Sequence, residues 1–249
     1  MDSQFGLITG AAGCGKTYTV RQQLNEDSGW GLLTATTGVA ARNLGDNVPT
    51  IHSALGFFDI TSLRTLSMNG DLAKAMRKVK KHHERIVIDE ASMLTREALQ
   101  VLHNNAEAVG LGLWLVGDFL QLPPIVRNDE TPSPWWAFQA LCWPSFANNT
   151  RWLTTNYRQS NPEFLAGLNH LRSGHGNAAT ATFRRCGVNF TRQLDYKFPG
   201  VTIVATNRVR GEFNDRMYAA LDETEVIYQS ERWGKQPSAI TQNRPVIIT

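Results

Sequence analysis

No apolar run in the 249 residues approaches the ~20 needed to cross a bilayer, and the N-terminus lacks a basic stretch followed by an apolar one. Neither a membrane span nor a secretory leader is expected, and the sequence reads as cytoplasmic. Cysteine is scarce: Cys14, Cys142 and Cys186 are far apart and odd in number, which argues against a disulfide framework and a clustered zinc site. Charge is also modest, at 19% with a net +3. What is present, 42% hydrophobic residues, suffices for the core of one large or two modest domains. The small net charge hides an asymmetry. Residues 1–150 carry 12 Lys+Arg against 14 Asp+Glu, a net −2, whereas residues 151–249 carry 13 against 8, a net +5. A basic second half suits a polyanion partner.

The most informative stretch is Gly10-Ala11-Ala12-Gly13-Cys14-Gly15-Lys16-Thr17, between the apolar Phe5–Ile8 and a helix-compatible Tyr18–Leu24. It fits G-x-x-x-x-G-K-[ST] in the strand–loop–helix context that pattern requires. Small residues at Gly10, Ala12, Gly13, Cys14 and Gly15 let backbone N–H groups curl around phosphates, and the following helix N-terminus adds its dipole. Lys16 then reaches the terminal phosphates, and the Thr17 hydroxyl is placed to ligate Mg²⁺ beside bound ATP. A glycine-rich turn without function is the competing reading. Cys14, a thiol at a helix N-terminus beside Lys16, is either a tolerated small residue or an oxidation sensor.

Further along, Gly31–Ala35 reads as a buried strand running into Thr36-Thr37-Gly38, the start of another helix and a second anion site. Thr36, Thr37, Thr50 and His52 are the candidate contacts to a nucleic-acid backbone, with a hydrogen-bonded structural role as the alternative for His52. Residues 57–84 read as the least regular part of the first half, ending in a helix rich in Lys and Arg. Arg85–Asp89 is a buried strand carrying Asp89 and Glu90 at its C-terminal end, the edge where ligands sit in open parallel sheets. Asp89 is expected in the Mg²⁺ shell and Glu90 as the base that deprotonates the attacking water, rather than as caps of the helix at Thr95–Glu107. Leu113–Val116 is a third apolar strand, leading to Gln121, which can touch both the γ-phosphate and the lytic water. The aromatic stretch Trp135–Trp143 is read as core, with base stacking as the alternative.

The ordered set GAAGCGKT, LLTATTGVAA, TIHS, VIDEASM, VGDFLQLPP and NYRQ resembles the RecD/Dda-like branch of superfamily 1 DNA helicases, over residues 5 to about 215. The resemblance implies an α/β P-loop NTPase with a first RecA-like parallel-sheet domain at residues 1–154. A second RecA-like domain is implied at 155–249, incomplete at its C-terminus. It also implies a DNA-stimulated ATPase moving 5′-to-3′, with Arg158 as a finger reaching the γ-phosphate from the second domain. The partners implied are single-stranded DNA or DNA with a single-stranded tail, and replication or repair proteins. Val201–Ala205 is expected as a second-domain strand, followed by a helix from Asn207. Gln4 lies too close to the loop for the adenine-reading glutamine of the resembling family. Pro245–Thr249 reads as the opening of a strand with nothing after it. Two other readings stand beside the motor: a nucleotide-dependent DNA-binding module without motor activity, and a P-loop ATPase that does not bind nucleic acid.

Overall fold

A computed structural model describes residues 3–124, 135–191 and 200–221. The chain divides into two compact units, Met1–Val188 and Asn189–Thr249. The first unit runs past residue 154, where the sequence places the end of the first domain.

That unit is built on five parallel strands, β1 (Phe5–Gly10), β2 (Leu32–Ala35), β3 (Arg85–Asp89), β4 (Gly112–Gly117) and β5 (Thr150–Leu153), in the order β2-β3-β4-β1-β5. β1, β3 and β4 are buried along their whole length because both faces are covered, which is why they read as near-continuous apolar runs. Alternation still decides the face. Phe5, Leu7, Ile86, Ile88, Leu113 and Leu115 enter the larger core, whereas Ile8, Val87, Trp114 and Val116 join Val20 and Trp30 on the other side.

Helix α1 (Lys16–Glu26) supplies Val20 to the smaller core. After β2 come α2 (Gly38–Leu44) and α3 (Ile51–Leu55), each started by a threonine hydroxyl, Thr37 and Thr50 respectively, that accepts a backbone N–H. Residues 57–84 are more regular than expected: α4 (Ile60–Met68) and α5 (Asp71–Lys80) fill them, and both pack into the larger core. A reciprocal capping box between Asp59 and Ser62 opens α4. The larger core also receives α6 (Arg96–Val109) and α7 (Trp143–Ala147). The aromatic stretch is core only in part: Ala137, Ala140 and Cys142 are buried and Trp143 packs against that core, whereas Phe138 and Leu141 are exposed.

Two further helices, α8 (Pro162–Arg172) and α9 (Gly176–Arg185), close the first unit. In the second unit, α10 (Asn207–Ala219) begins where the sequence places it, capped by Thr206. The strand expected at Val201–Ala205 does not form: Val201 and Ile203 are 90% and 92% exposed, and no described residue pairs with them. An apolar alternation makes a strand only through a ladder, and the described residues supply none here. The strand expected at Pro245–Thr249 lies outside the described residues. No helix among the described residues is long and apolar enough to cross a membrane.

The larger core contains one polar anomaly. His103 on α6 is buried between Phe5 and Phe146, with ring centroids at 4.4 and 5.8 Å, and neither ring nitrogen has a hydrogen-bond partner among the described residues. An unsatisfied buried polar group costs about 1–3 kcal/mol, and replacing it with an apolar group of similar shape removes that cost. His103→Leu is therefore expected to raise the unfolding free energy by about 1 kcal/mol in urea titration. A loss of stability would mean that the ring has a polar role the packing does not explain.

Candidate active site

The phosphate-binding loop leaves β1 through Gly10, where a Cβ would lie 2.2 Å from the Leu153 carbonyl of β5. Gly13 has φ +82°, and a Cβ there would meet the Arg158 Cβ at 2.6 Å. Both positions therefore need glycine for close approach, not only for turn geometry. Lys16 Nζ donates to the carbonyls of Gly10 and Ala11, at 2.9 and 3.0 Å, so the loop holds its own lysine in place. Ala12 and Gly13 are gripped from outside: Asn156 Nδ2 donates to the Ala12 carbonyl at 2.7 Å, and the Tyr157 N–H to the Gly13 carbonyl at 2.8 Å. Cys14 is buried. Gln4 donates its amide to the Leu111 carbonyl at 3.2 Å, at the N-terminal edge of the sheet and away from the loop.

β3 delivers Asp89 to the same edge. Its carboxylate accepts from Thr17 Oγ1 at 3.0 Å and from the Glu90 N–H at 2.8 Å. Burial pushes the Asp89 carboxyl above its ordinary value, partly offset by those two donors and the charges of Lys16 and Arg21. Glu90 is also raised, first by burial and then by the neighbouring Asp89 charge, with Lys16 and Arg158 pulling the other way. Among the described residues it is the one non-glycine in the left-handed region, at φ 54°. That conformation costs about 1–2 kcal/mol. Two donors to its carbonyl offset the cost, Thr36 Oγ1 at 3.0 Å and the Met93 N–H at 3.1 Å.

β4 ends beside them at Asp118, whose buried carboxylate is clamped by both terminal nitrogens of Arg172 on α8, at 2.6 and 3.0 Å. Burial would raise this carboxyl, but the Arg172 guanidinium, the Leu120 N–H and Gln121 together hold it below the usual range. Gln121 Nε2 lies 3.3 Å from Asp118 Oδ2. The sequence did not single out Asp118 or Arg172, because residues 54 apart show no pairing by spacing.

One cleft of about 190 Å³ is lined by Lys16, Thr17, Asp89, Glu90, Gln121 and Arg158, with Ala12, Gly13 and Gly15 as its floor. Tyr157, unremarked in the sequence, is 78% exposed, its ring 3.7 Å from where a Cβ on Gly15 would stand. Arg158 reaches this cleft from the same compact unit as the loop. Thr17 and Asp89 offer two hard oxygen donors, the kind Mg²⁺ takes alongside phosphates and water. No group of three or more His, Cys, Asp or Glu that could hold a metal occurs among the described residues. A larger hollow of about 430 Å³ lies at the opposite edge of the sheet, around Asp27, Lys80, His82, His83 and Glu84, but no phosphate-binding loop reaches it.

Of the four candidate nucleic-acid contacts, three line a neighbouring groove of about 340 Å³: Thr36, Thr37 and His52, with Phe57 and the exposed Phe58. His52 lies against Phe57 at 4.5 Å, and burial lowers its pKa. Thr50 does not line this groove. Its hydroxyl accepts the Ser53 N–H at 3.1 Å as the cap of α3.

Comparison with known proteins adds a family and several likenesses. A family model described as AAA domain matches residues 1–189. The ATP-dependent DNA helicase Pif1 of Bdellovibrio bacteriovorus is 31% identical over 239 residues, covering 90% of this chain and 52% of that protein. The crystal structure of Pif1 helicase from Candida albicans superposes with a TM-score of 0.66 at 25% identity, over 90% of this chain and 52% of the other. Pif1 helicase from Bacteroides in complex with ADP-AlF3 and ssDNA gives 0.64 at 21% identity, over 90% and 55%, a likeness of fold. The chain thus spans about half the length of these three. The relatives bear the name Pif1, whereas the motifs resemble the RecD/Dda-like branch.

The Asp118–Arg172 clamp makes a stability prediction. Arg172→Ala leaves a buried carboxylate uncompensated and should cost about 3–5 kcal/mol in denaturant unfolding. Because the folded pKa of Asp118 is depressed, its contribution is present above the ordinary aspartate value and is lost as pH falls through the folded one. The gap between wild type and variant should therefore close on acidification. A gap that is independent of pH would assign the loss to packing instead.

Proposed function

The chain belongs to the AAA domain family, and on that premise we propose that it is the ATP-hydrolysing core of a DNA helicase of the Pif1 kind. The convergence of Lys16, Thr17, Asp89, Glu90, Gln121 and Arg158 on one cleft carries this reading. Pif1 is named here rather than the RecD/Dda-like branch because relatives that cover most of the chain carry that name. The division into a RecA-like domain at 1–154 and the beginning of another at 155–249 belongs to the same proposal. Hydrolysis is assigned to this chain. Movement along DNA, 5′-to-3′, is proposed for the whole protein, since the chain covers 52% of the bacterial relative.

In this reading the loop N–H groups and Lys16 bind the phosphates of ATP, and Glu90 takes a proton from the attacking water. Thr17 and Asp89 would hold Mg²⁺, whose chemistry when bound is to neutralise phosphate charge. Gln121 orients the water, and Arg158 stabilises the equatorial oxygens as charge develops there, a contribution that reaches several powers of ten in rate. The groove lined by Thr36, Thr37 and His52 is the side that meets single-stranded DNA or a single-stranded tail, while Thr50 caps α3 outside it. Replication or repair proteins are the expected further partners.

The test is ATP hydrolysis by the full chain with Mg²⁺, with and without single-stranded DNA. Turnover should rise with DNA, and the rise should weaken between about 50 and 200 mM salt. Binding without turnover would favour the DNA-binding module, and turnover indifferent to DNA the plain P-loop ATPase. Glu90→Gln should keep ATP affinity in calorimetry and lose about 10²–10⁴-fold in kcat, whereas Lys16→Ala should lose affinity itself. As Glu90 sits above its ordinary pKa, the acid limb of the kcat profile should fall at a higher pH than an ordinary glutamate would give. Normal turnover in Glu90→Gln would remove it as the base.

A further inference from the structure

The carboxylate assigned as base and the groove assigned to DNA share one short segment of chain. Thr36 follows β2 and is buried. Its N–H donates to the Asp89 carbonyl at 3.1 Å, and its hydroxyl donates to the Glu90 carbonyl at 3.0 Å. The same residue lines the groove that contains Thr37, His52 and Phe58. Thr37, its neighbour, lines both that groove and a second cleft shared with Glu90, Gln121 and Arg158. One side of this dipeptide thus faces the groove, while its polar groups hold the peptide on which the base is mounted.

Glu90 needs such a hold. Its left-handed backbone is disfavoured for a residue with a Cβ, and relaxing to the right-handed region would swing the carboxylate away from its present aim. The carbonyl has two donors, and only one of them, the Thr36 hydroxyl, comes from outside the short helical turn at Ala91–Met93. A backbone with two discrete states, biased by a group that also lines a ligand groove, is the kind of element through which one site influences another.

We propose that Thr36 is a positioning residue that locks Glu90 in its left-handed conformation and transmits occupancy of the Thr36–His52 groove by single-stranded DNA to the hydrolytic water. The inference rests on the ATPase reading above. A strand seated in the groove restrains the Thr36–Thr37 segment, keeps the hydroxyl on the Glu90 carbonyl and favours the hydrolysing conformation. An empty groove leaves that hydrogen bond free to open. The Thr36 hydroxyl is accordingly committed to Glu90, and Thr37 and His52 are left to face the strand.

Thr36→Val keeps the branched shape and removes the hydroxyl, and Thr36→Ser restores it. Steady-state kcat and KM for ATP are measured in the full chain, alone and with an oligo-dT strand. Thr36→Val should lower basal kcat about tenfold with KM unchanged within about twofold, and should lose the rise with DNA. Thr36→Ser should recover both, which a purely structural defect would not predict. A Thr36→Val chain that turns over and responds like wild type would overturn the proposal. If wild type shows no response to DNA, the transmission and the helicase reading fail together, while basal kcat still decides whether Thr36 holds Glu90. A crystal structure of Thr36→Val gives an answer independent of turnover: Glu90 should leave positive φ, and an unchanged φ would refute the lock.

Discussion

Where β1 ends, Gly10 lies so close to the Leu153 carbonyl that any side chain would collide with it, and this approach of two parallel strands decides what meets the phosphate-binding loop. With β5 drawn against β1, the chain leaving Leu153 runs along the loop. Asn156 then reaches the Ala12 carbonyl, and Arg158 enters the cleft. Parallel pairing does the rest, because it brings the carboxyl ends of β1, β3 and β4 to a single edge. The loop, the Asp89–Glu90 pair and the Asp118–Gln121 segment are neighbours for that reason, although they lie in separate parts of the chain.

Much of this was legible in the sequence, and what was not has a physical cause. β1, β3 and β4 announce themselves because both their faces are apolar, and the loop because phosphate binding leaves few choices of residue. β5 went unread: Thr150-Arg151-Trp152-Leu153 is short, with Arg151 and Trp152 exposed, so neither alternation nor an apolar run marks it. The helix at Ile60–Met68 was hidden by its threonines and serines, although Asp59 and Ser62 carried a capping signal. Val201–Ala205 erred the other way: its apolar pattern signals a strand, and among the described residues no strand pairs with it.

The candidate site divides along the same line. Lys16, Thr17, Asp89 and Glu90 line the cleft and were legible from a fixed local spacing or a strand end, whereas Gln121 and Arg158 were reached by their place after a strand and by the family resemblance. The Arg172 clamp on Asp118 and the Thr36 hydroxyl on the Glu90 carbonyl depend on tertiary approach, and no local pattern records them. Thr36, Thr37 and His52 fell together beside the cleft and Thr50 did not, although the hydroxyls of Thr37 and Thr50 both cap helices, α2 and α3. Nothing in the local sequence tells a capping threonine that also lines a groove from one that does not.

The lysine of the loop has a consequence for ligand binding. Two of the three N–H donors of the Lys16 ammonium are taken by the carbonyls of Gly10 and Ala11, so the long side chain is tethered over the loop while one donor stays available. An anion arriving there meets a charge whose position is already fixed, and little side-chain freedom is left to lose on contact. The loop thus orders its own cation before any ligand is present.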